Sequence, residues 1–125
     1  MPKPLLAWDV MLLIMINIAL LLTGQTLWKI GLQKIGGFSL ANLSAIALSP
    51  WIIAGLVLYV IATGVWFSIL SRMDFSLAYP LQSLAFVFGV LLGWLVFQET
   101  IPWTRWFGVA VIVFGVYLVA LPVRQ

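Results

Sequence analysis

Two short runs carry side chains able to hold a polar ligand. In T-G-Q-T-L-W-K, Thr23 to Lys29, Gln25 and Lys29 stand one helical turn apart and share a face. A lysine placed there either snorkels to the membrane boundary or meets an anionic partner. The second run starts at Phe75 and sets Tyr79, Pro80, Gln82 and Ser83 into apolar sequence. Pro80 cannot donate to the carbonyl of Ser76, which leaves an acceptor beside Tyr79 and Ser83. The chemistry on offer is recognition rather than bond breaking. With no cysteine and no histidine, the chain lacks a thiolate nucleophile, the usual general base and the commonest metal ligands. Its three acids, Asp9, Asp74 and Glu99, fall near helix ends, and no nucleophile is paired with a base. No enzyme activity, cofactor or metal site is expected.

The elements that position these residues follow from composition. Of 125 residues, 65% are hydrophobic and 7% are charged, whereas soluble domains carry about 25% charged residues. The chain is therefore expected to be an all-α integral membrane protein, a single domain of four transmembrane helices. Each needs about 20 apolar residues to cross a hydrocarbon core of about 30 Å. The spans are expected at about 9–31, 50–71, 75–97 and 103–121. Gly36 and Gly37 interrupt the chain after the first, and a short interfacial segment is expected at about 38–49. Pro50 suits the first turn of the second span. The turn at Arg72, Met73 and Asp74 makes the second and third spans antiparallel neighbours. Asn17, in the first span, needs a partner inside the bundle.

Small residues mark where helices can approach closely. Gly24 is one such position, Gly89 and Gly93 form a G-x-x-x-G pair, and Gly108 and Gly115 share a face of the fourth span. Six of the seven tryptophans, Trp8, Trp28, Trp51, Trp94, Trp103 and Trp106, fall near expected helix ends, as an aromatic belt requires. Lys3, Arg72 and Arg124 lie on one side of the membrane, and Lys29, Lys34 and Arg105 on the other. Setting Lys29 aside as helical biases both termini to the cytoplasm. The six Lys and Arg are scattered, with no cluster for nucleic acid.

Three stretches carry a resemblance that covers most of the chain. They are G-Q-T-L-W-K in the first span, F-S-L-A-Y-P-L-Q-S-L-A-F-V in the third, and the ending F-Q-E-T-I-P-W-T-R-W-F-G-V-A-V-I-V-F-G. Together they resemble a four-helix member of the drug/metabolite transporter superfamily, of the small multidrug resistance type. In the ending, Glu99, Gly108, Ile112 and Gly115 fall in register with the closing pattern of EamA-like repeats. The A-Y-P-x-x-S-L segment is similar to the subunits of the flippase that moves aminoarabinose-phosphoundecaprenol across the bacterial inner membrane.

The resemblance implies a multi-pass inner-membrane subunit that moves a polyprenyl-phosphate glycolipid or a small molecule. Since four helices hardly enclose a pathway, it should pair with a similar four-helix subunit, as a homodimer or a heterodimer. For a polyprenyl-phosphate sugar, Lys29, with Arg105 or Lys34, would neutralise phosphate. Gln25, Tyr79 and Ser83 would meet sugar hydroxyls, while the lipid tail stays in the bilayer. Two alternatives stand beside this reading. One is an exporter of cationic metabolites or drugs, using Trp66 and Tyr59 as an aromatic cage. The other is a non-transporting membrane partner that binds through Gly89 and Gly93. The resemblance also contains a departure. The multidrug members carry a drug- and proton-binding glutamate three residues before the glycine matching Gly24, and here that position is Leu21.

Overall fold

The computed structural model describes residues 8–121. Among them the elements are α1 (Trp8–Ile35), a 3₁₀ turn (Leu40–Asn42), α2 (Leu43–Leu48), α3 (Pro50–Leu70), α4 (Phe75–Gln82), α5 (Leu84–Leu95) and α6 (Trp103–Ala120). Four units are long and apolar enough to cross a membrane: α1, α3, α4 with α5 as Phe75–Leu95, and α6. The chain therefore crosses four times and brings both described ends to one side. There Arg72 pairs with Asp9 at 2.8 Å, tying the start of α1 to the turn after α3. Lys3 and Arg124, two of the charges weighed for orientation, lie outside the described residues.

Two boundaries differ from expectation, each for a physical reason. α1 runs to Ile35 rather than Gly31, because Gly31 is a packing position and not a stop: a Cβ there would meet the Cβ of Trp51 at 2.9 Å. The stop is Gly36 and Gly37, whose φ of 104° and 105° suits glycine alone. Both N–H groups turn back to the carbonyl of Leu32. The third span is broken. α4 ends at Gln82, and Ser83 donates its backbone N–H to the Pro80 carbonyl at 3.0 Å. The Ser83 hydroxyl donates to that same carbonyl. The bend is thus locked three residues after the proline that starts it.

The core lies where α1, α3, α4 and α6 meet, with Ile14, Ile69, Ala78 and Val116 in one cluster, and the closest helix pair is α1 on α3. On α1, Val10, Ile14, Asn17, Gly24 and Gly31 are buried, with Leu21 and Trp28 half-buried between them. These steps of three and four residues trace one helical stripe. Gly24 sits against Gly55 so closely that a Cβ on Gly24 would lie 2.9 Å from the Gly55 carbonyl oxygen. Trp28 fills the space beside this crossing and donates from Nε1 to the Ile52 carbonyl at 3.1 Å. Close approach of this kind is how helices associate in lipid, where no hydrophobic driving force operates between them.

One buried polar bridge joins three spans. Asn17, 1% exposed, donates from Nδ2 to the Ala62 carbonyl at 2.8 Å and accepts from Gln82 Nε2 at 3.1 Å. α1, α3 and α4 are held in register through a single amide. Interhelical hydrogen bonds in membranes average about 0.6 kcal/mol, with the strongest near 1.7. Asn17→Leu breaks two of them, and is expected to lower stability by about 1–2 kcal/mol on unfolding in mixed micelles. Unchanged stability would show that the bridge is not structural.

Candidate functional site

Spans from all four crossings frame one cavity of about 680 Å³. Gln25 comes from α1, Tyr59 from α3, Tyr79 and Pro80 from α4, Gly89 from α5 and Arg105 from the start of α6, with Gln82 and Ser83 at the bend. Along α4 and α5 the cavity extends from Tyr79 to Val90, about 16 Å of helix rise. Four of the five side chains expected to bind substrate, Gln25, Tyr79, Ser83 and Arg105, therefore share one wall system. The fifth, Lys29, lines an adjoining pocket of about 210 Å³ that shares Leu22, Gln25, Gly89 and Glu99 with the first.

Lys29 has a partner that sequence reasoning left out of the site. Its Nζ lies 3.0 Å from Oε1 of Glu99 and 4.6 Å from the centroid of the Phe97 ring. The partner is an anion, but a protein carboxylate holds it. The two side chains are 46% and 39% exposed, and ion pairs that open to solvent are worth about 0–1 kcal/mol, so the pair can exchange partners. Arg105 is different: it lines the larger cavity and, among the described residues, its guanidinium makes no ion pair and no hydrogen bond.

The loop between α5 and α6 holds Glu99 in place. Its N–H donates to the Gly93 carbonyl at 2.9 Å, and Gln98 before it takes a φ of 54°. The carboxylate then rests on Gly93, where a Cβ would stand 2.7 Å from Oε2. The pair Gly89 and Gly93 was expected as a seam for another helix backbone, and no helix backbone of this chain fills it. Within this chain Gly93 makes room for a side chain, and Gly89 would meet only Leu22 Cδ2, at 4.0 Å. Gly24 does stand against a helix backbone, that of Gly55. Gly108 and Gly115 face open space, with nothing within 4 Å of a built Cβ.

Other expected residues fall outside the cavity or do other work. Lys34 stands over Trp51, 5.5 Å from its ring centroid. Ser83 spends its hydroxyl proton on Pro80, so it faces a ligand as an acceptor. The aromatic cage weighed for a cationic drug is divided: Tyr59 packs on Trp28 at 5.5 Å, while Trp66 packs on Tyr79 at 6.4 Å. An apolar crevice of about 410 Å³ between α1 and α5 adjoins both polar pockets through Leu22.

Glu99 is the functional candidate that the site reading missed. The signal for Glu99 was its place in the E-x-x-x-x-x-x-x-x-G closing pattern, in a turn on the same side of the membrane as Lys29. Gln82, named in the second polar run, turns out to serve Asn17 as a hydrogen-bond donor as well as lining the cavity.

Comparison with known proteins agrees on the kind of molecule. The model of the EamA-like transporter family matches residues 7–121. The "probable 4-amino-4-deoxy-L-arabinose-phosphoundecaprenol flippase subunit ArnE" of Pseudomonas fluorescens is 34% identical over 110 residues, which cover 88% of this chain and 96% of that protein. The corresponding subunit ArnF of Proteus mirabilis is 33% identical over 123 residues, covering 86% of this chain and 89% of its own length. No solved structure matches the chain.

Proposed function

The chain belongs to the EamA-like transporter family, and we propose that it is one subunit of a flippase for a polyprenyl-phosphate-linked sugar in the bacterial inner membrane. The observation that carries this reading is the cavity of about 680 Å³ that joins Arg105, unpaired among the described residues, to Gln25, Tyr79 and Ser83. Its volume lies within the roughly 300–1,000 Å³ usual for sites of small ligands. Arg105 takes the phosphate, with Lys29 behind it. Gln25 and Tyr79 donate to sugar hydroxyls, and Ser83 accepts from one. The prenyl tail stays in the bilayer and reaches the cavity between helices, so no covalent step is involved.

In this reading both termini are cytoplasmic, and the mouth carrying Lys29, Glu99 and Arg105 faces the opposite side. A second four-helix subunit, identical or homologous, completes the pathway. α6 is the surface we assign to it: 6% of that span is buried within the chain, against 28% for α1. Gly108 and Gly115 then supply the close approach that they do not make inside one subunit.

The test is transbilayer movement of a labelled polyprenyl-phosphate arabinose in inner-membrane vesicles, which retain any partner subunit. Vesicles from cells with the gene are expected to move the lipid at least tenfold faster than vesicles from cells lacking it. No stoichiometric proton counterflow is expected, because no Asp or Glu lies within the core of a span. Equal rates would overturn the flippase reading. Gene-dependent export of quaternary ammonium compounds would favour the small-molecule exporter.

A further inference from the structure

We infer that the apolar crevice between α1 and α5 is a binding site for the first isoprene units of the transported lipid, and that Leu22, opposite Gly89, is the threshold between that site and the polar cavity. This rests on the flippase reading above and states where the lipid enters the protein. α1 presents Met15, Ala19 and Leu22 to the crevice, and α5 presents Phe88, Leu92 and Leu95. Both sets are spaced i, i+4, i+7, so each is one continuous helical face. The two faces do not close on each other: Met15 is 42% exposed and Leu95 64%, so the crevice opens sideways to the bilayer.

The crevice meets the polar site at one point. Among the described residues, Leu22 alone lines it together with both polar pockets. Gly89 stands across from Leu22, and a Cβ built there would meet, among the described residues, only Leu22 Cδ2, at 4.0 Å. The partition is therefore one leucine side chain facing a helix surface that has no side chain of its own. A change of the Leu22 rotamer opens it without moving a helix backbone.

Size and surroundings decide the occupant. From Met15 to Leu22 α1 rises about 10 Å, so the crevice volume of about 410 Å³ leaves a mean cross-section of about 40 Å². A helix with its side chains is about 10–12 Å across and covers roughly 80 Å² or more. A hydrocarbon chain fits and a partner helix does not. Burial alone gives a prenyl chain no preference over an ordinary acyl chain, because lipid tails are as apolar as the crevice wall. For the same reason an acyl chain leaves at little cost, and the head group sets the direction of exchange. With its phosphate held by Arg105 and Lys29, the lipid must lead its tail out of the polar pockets, and the step past Leu22 leads straight into apolar space.

The experiment uses the inner-membrane vesicles described above and polyprenyl-phosphate arabinose with a photoreactive diazirine in its first isoprene unit. Irradiation is expected to label peptides of α1 and α5 in this chain. An excess of the unmodified lipid should suppress that labelling, and the same excess of phosphatidylethanolamine should leave it unchanged. Ala19→Phe fills the crevice from an exposed position and is expected to slow lipid movement at least tenfold. Ile16→Phe, also exposed on α1 but outside the crevice, is expected to keep the wild-type rate. Labelling confined to other helices, labelling that phosphatidylethanolamine removes as readily as the unmodified lipid does, or a wild-type rate in Ala19→Phe would overturn the assignment and leave the flippase reading standing. If the lipid moves no faster with the gene than without it, the flippase reading fails and the inference goes with it.

Discussion

Gly55→Ala is expected to lower the stability of the bundle by about 2–4 kcal/mol, and Gly55→Leu to prevent its assembly. The added Cβ would lie 2.5 Å from Cδ1 and Nε1 of Trp28 and 2.6 Å from the Gly24 carbonyl oxygen. Overpacking costs about 1–3 kcal/mol where side chains can shift. Here one of the atoms in the way is helix backbone, so α1 and α3 must separate. Trp28 would also give up its hydrogen bond to the Ile52 carbonyl and its packing on Tyr59, which lines the cavity. The loss should therefore appear in transport as well as in unfolding. Gly64→Ala on the same helix is the control. Nothing lies within 4 Å of its Cβ, and replacing glycine in a helix gains up to about 1 kcal/mol. Equal behaviour of the two variants in mixed-micelle unfolding would mean that the α1–α3 crossing does not hold the fold together.

That crossing shows where sequence reading reaches and where it stops. The four spans are legible because each is a long apolar run whose few charges stand near its ends, a local property. Gly24 is legible as a point of close approach, but its partner Gly55 is not, because partner choice is a fact about two helices. The same limit applies to the polar groups. Asn17 and Gln82 each need satisfaction in an apolar solvent, yet their meeting across 65 residues is visible only in the fold. The bond between Lys29 and Glu99 spans 70 residues. Read locally, each was a charge at a helix end. The first span was expected to end at about Gly31; in α1 that glycine permits close contact, and the helix runs on to the positive φ of Gly36 and Gly37. For the site, residue types and spacing pointed to Gln25, Tyr79 and Ser83, and the family resemblance added Arg105; the fold brings all four to one cavity. Within one chain the G-x-x-x-G pair takes up a side chain rather than a helix, because the pattern records space without recording what fills it.

The relation between the two cations at the mouth leads to the other large effect. Arg105→Met is expected to slow movement of a polyprenyl-phosphate sugar by roughly a hundredfold. A guanidinium can offer a phosphate two parallel N–H donors. Hydrogen bonds to charged groups contribute about 1.5–3 kcal/mol each, and each 1.4 kcal/mol is a factor of ten. Arg105→Lys keeps the charge and loses the fork, so an intermediate loss of about tenfold is expected. Neither change should alter stability, since the Arg105 side chain makes no ion pair or hydrogen bond among the described residues. Lys29→Met should also abolish transport without affecting membrane insertion, by a different route. It removes a cation and at the same time leaves Glu99 uncompensated where the phosphate must pass. Initial rates of lipid movement in vesicles, matched for protein by immunoblot, separate the three variants. Wild-type rates in Arg105→Met would take the phosphate away from this arginine, and wild-type rates in Lys29→Met would make the Lys29–Glu99 pair a surface feature with no part in transport.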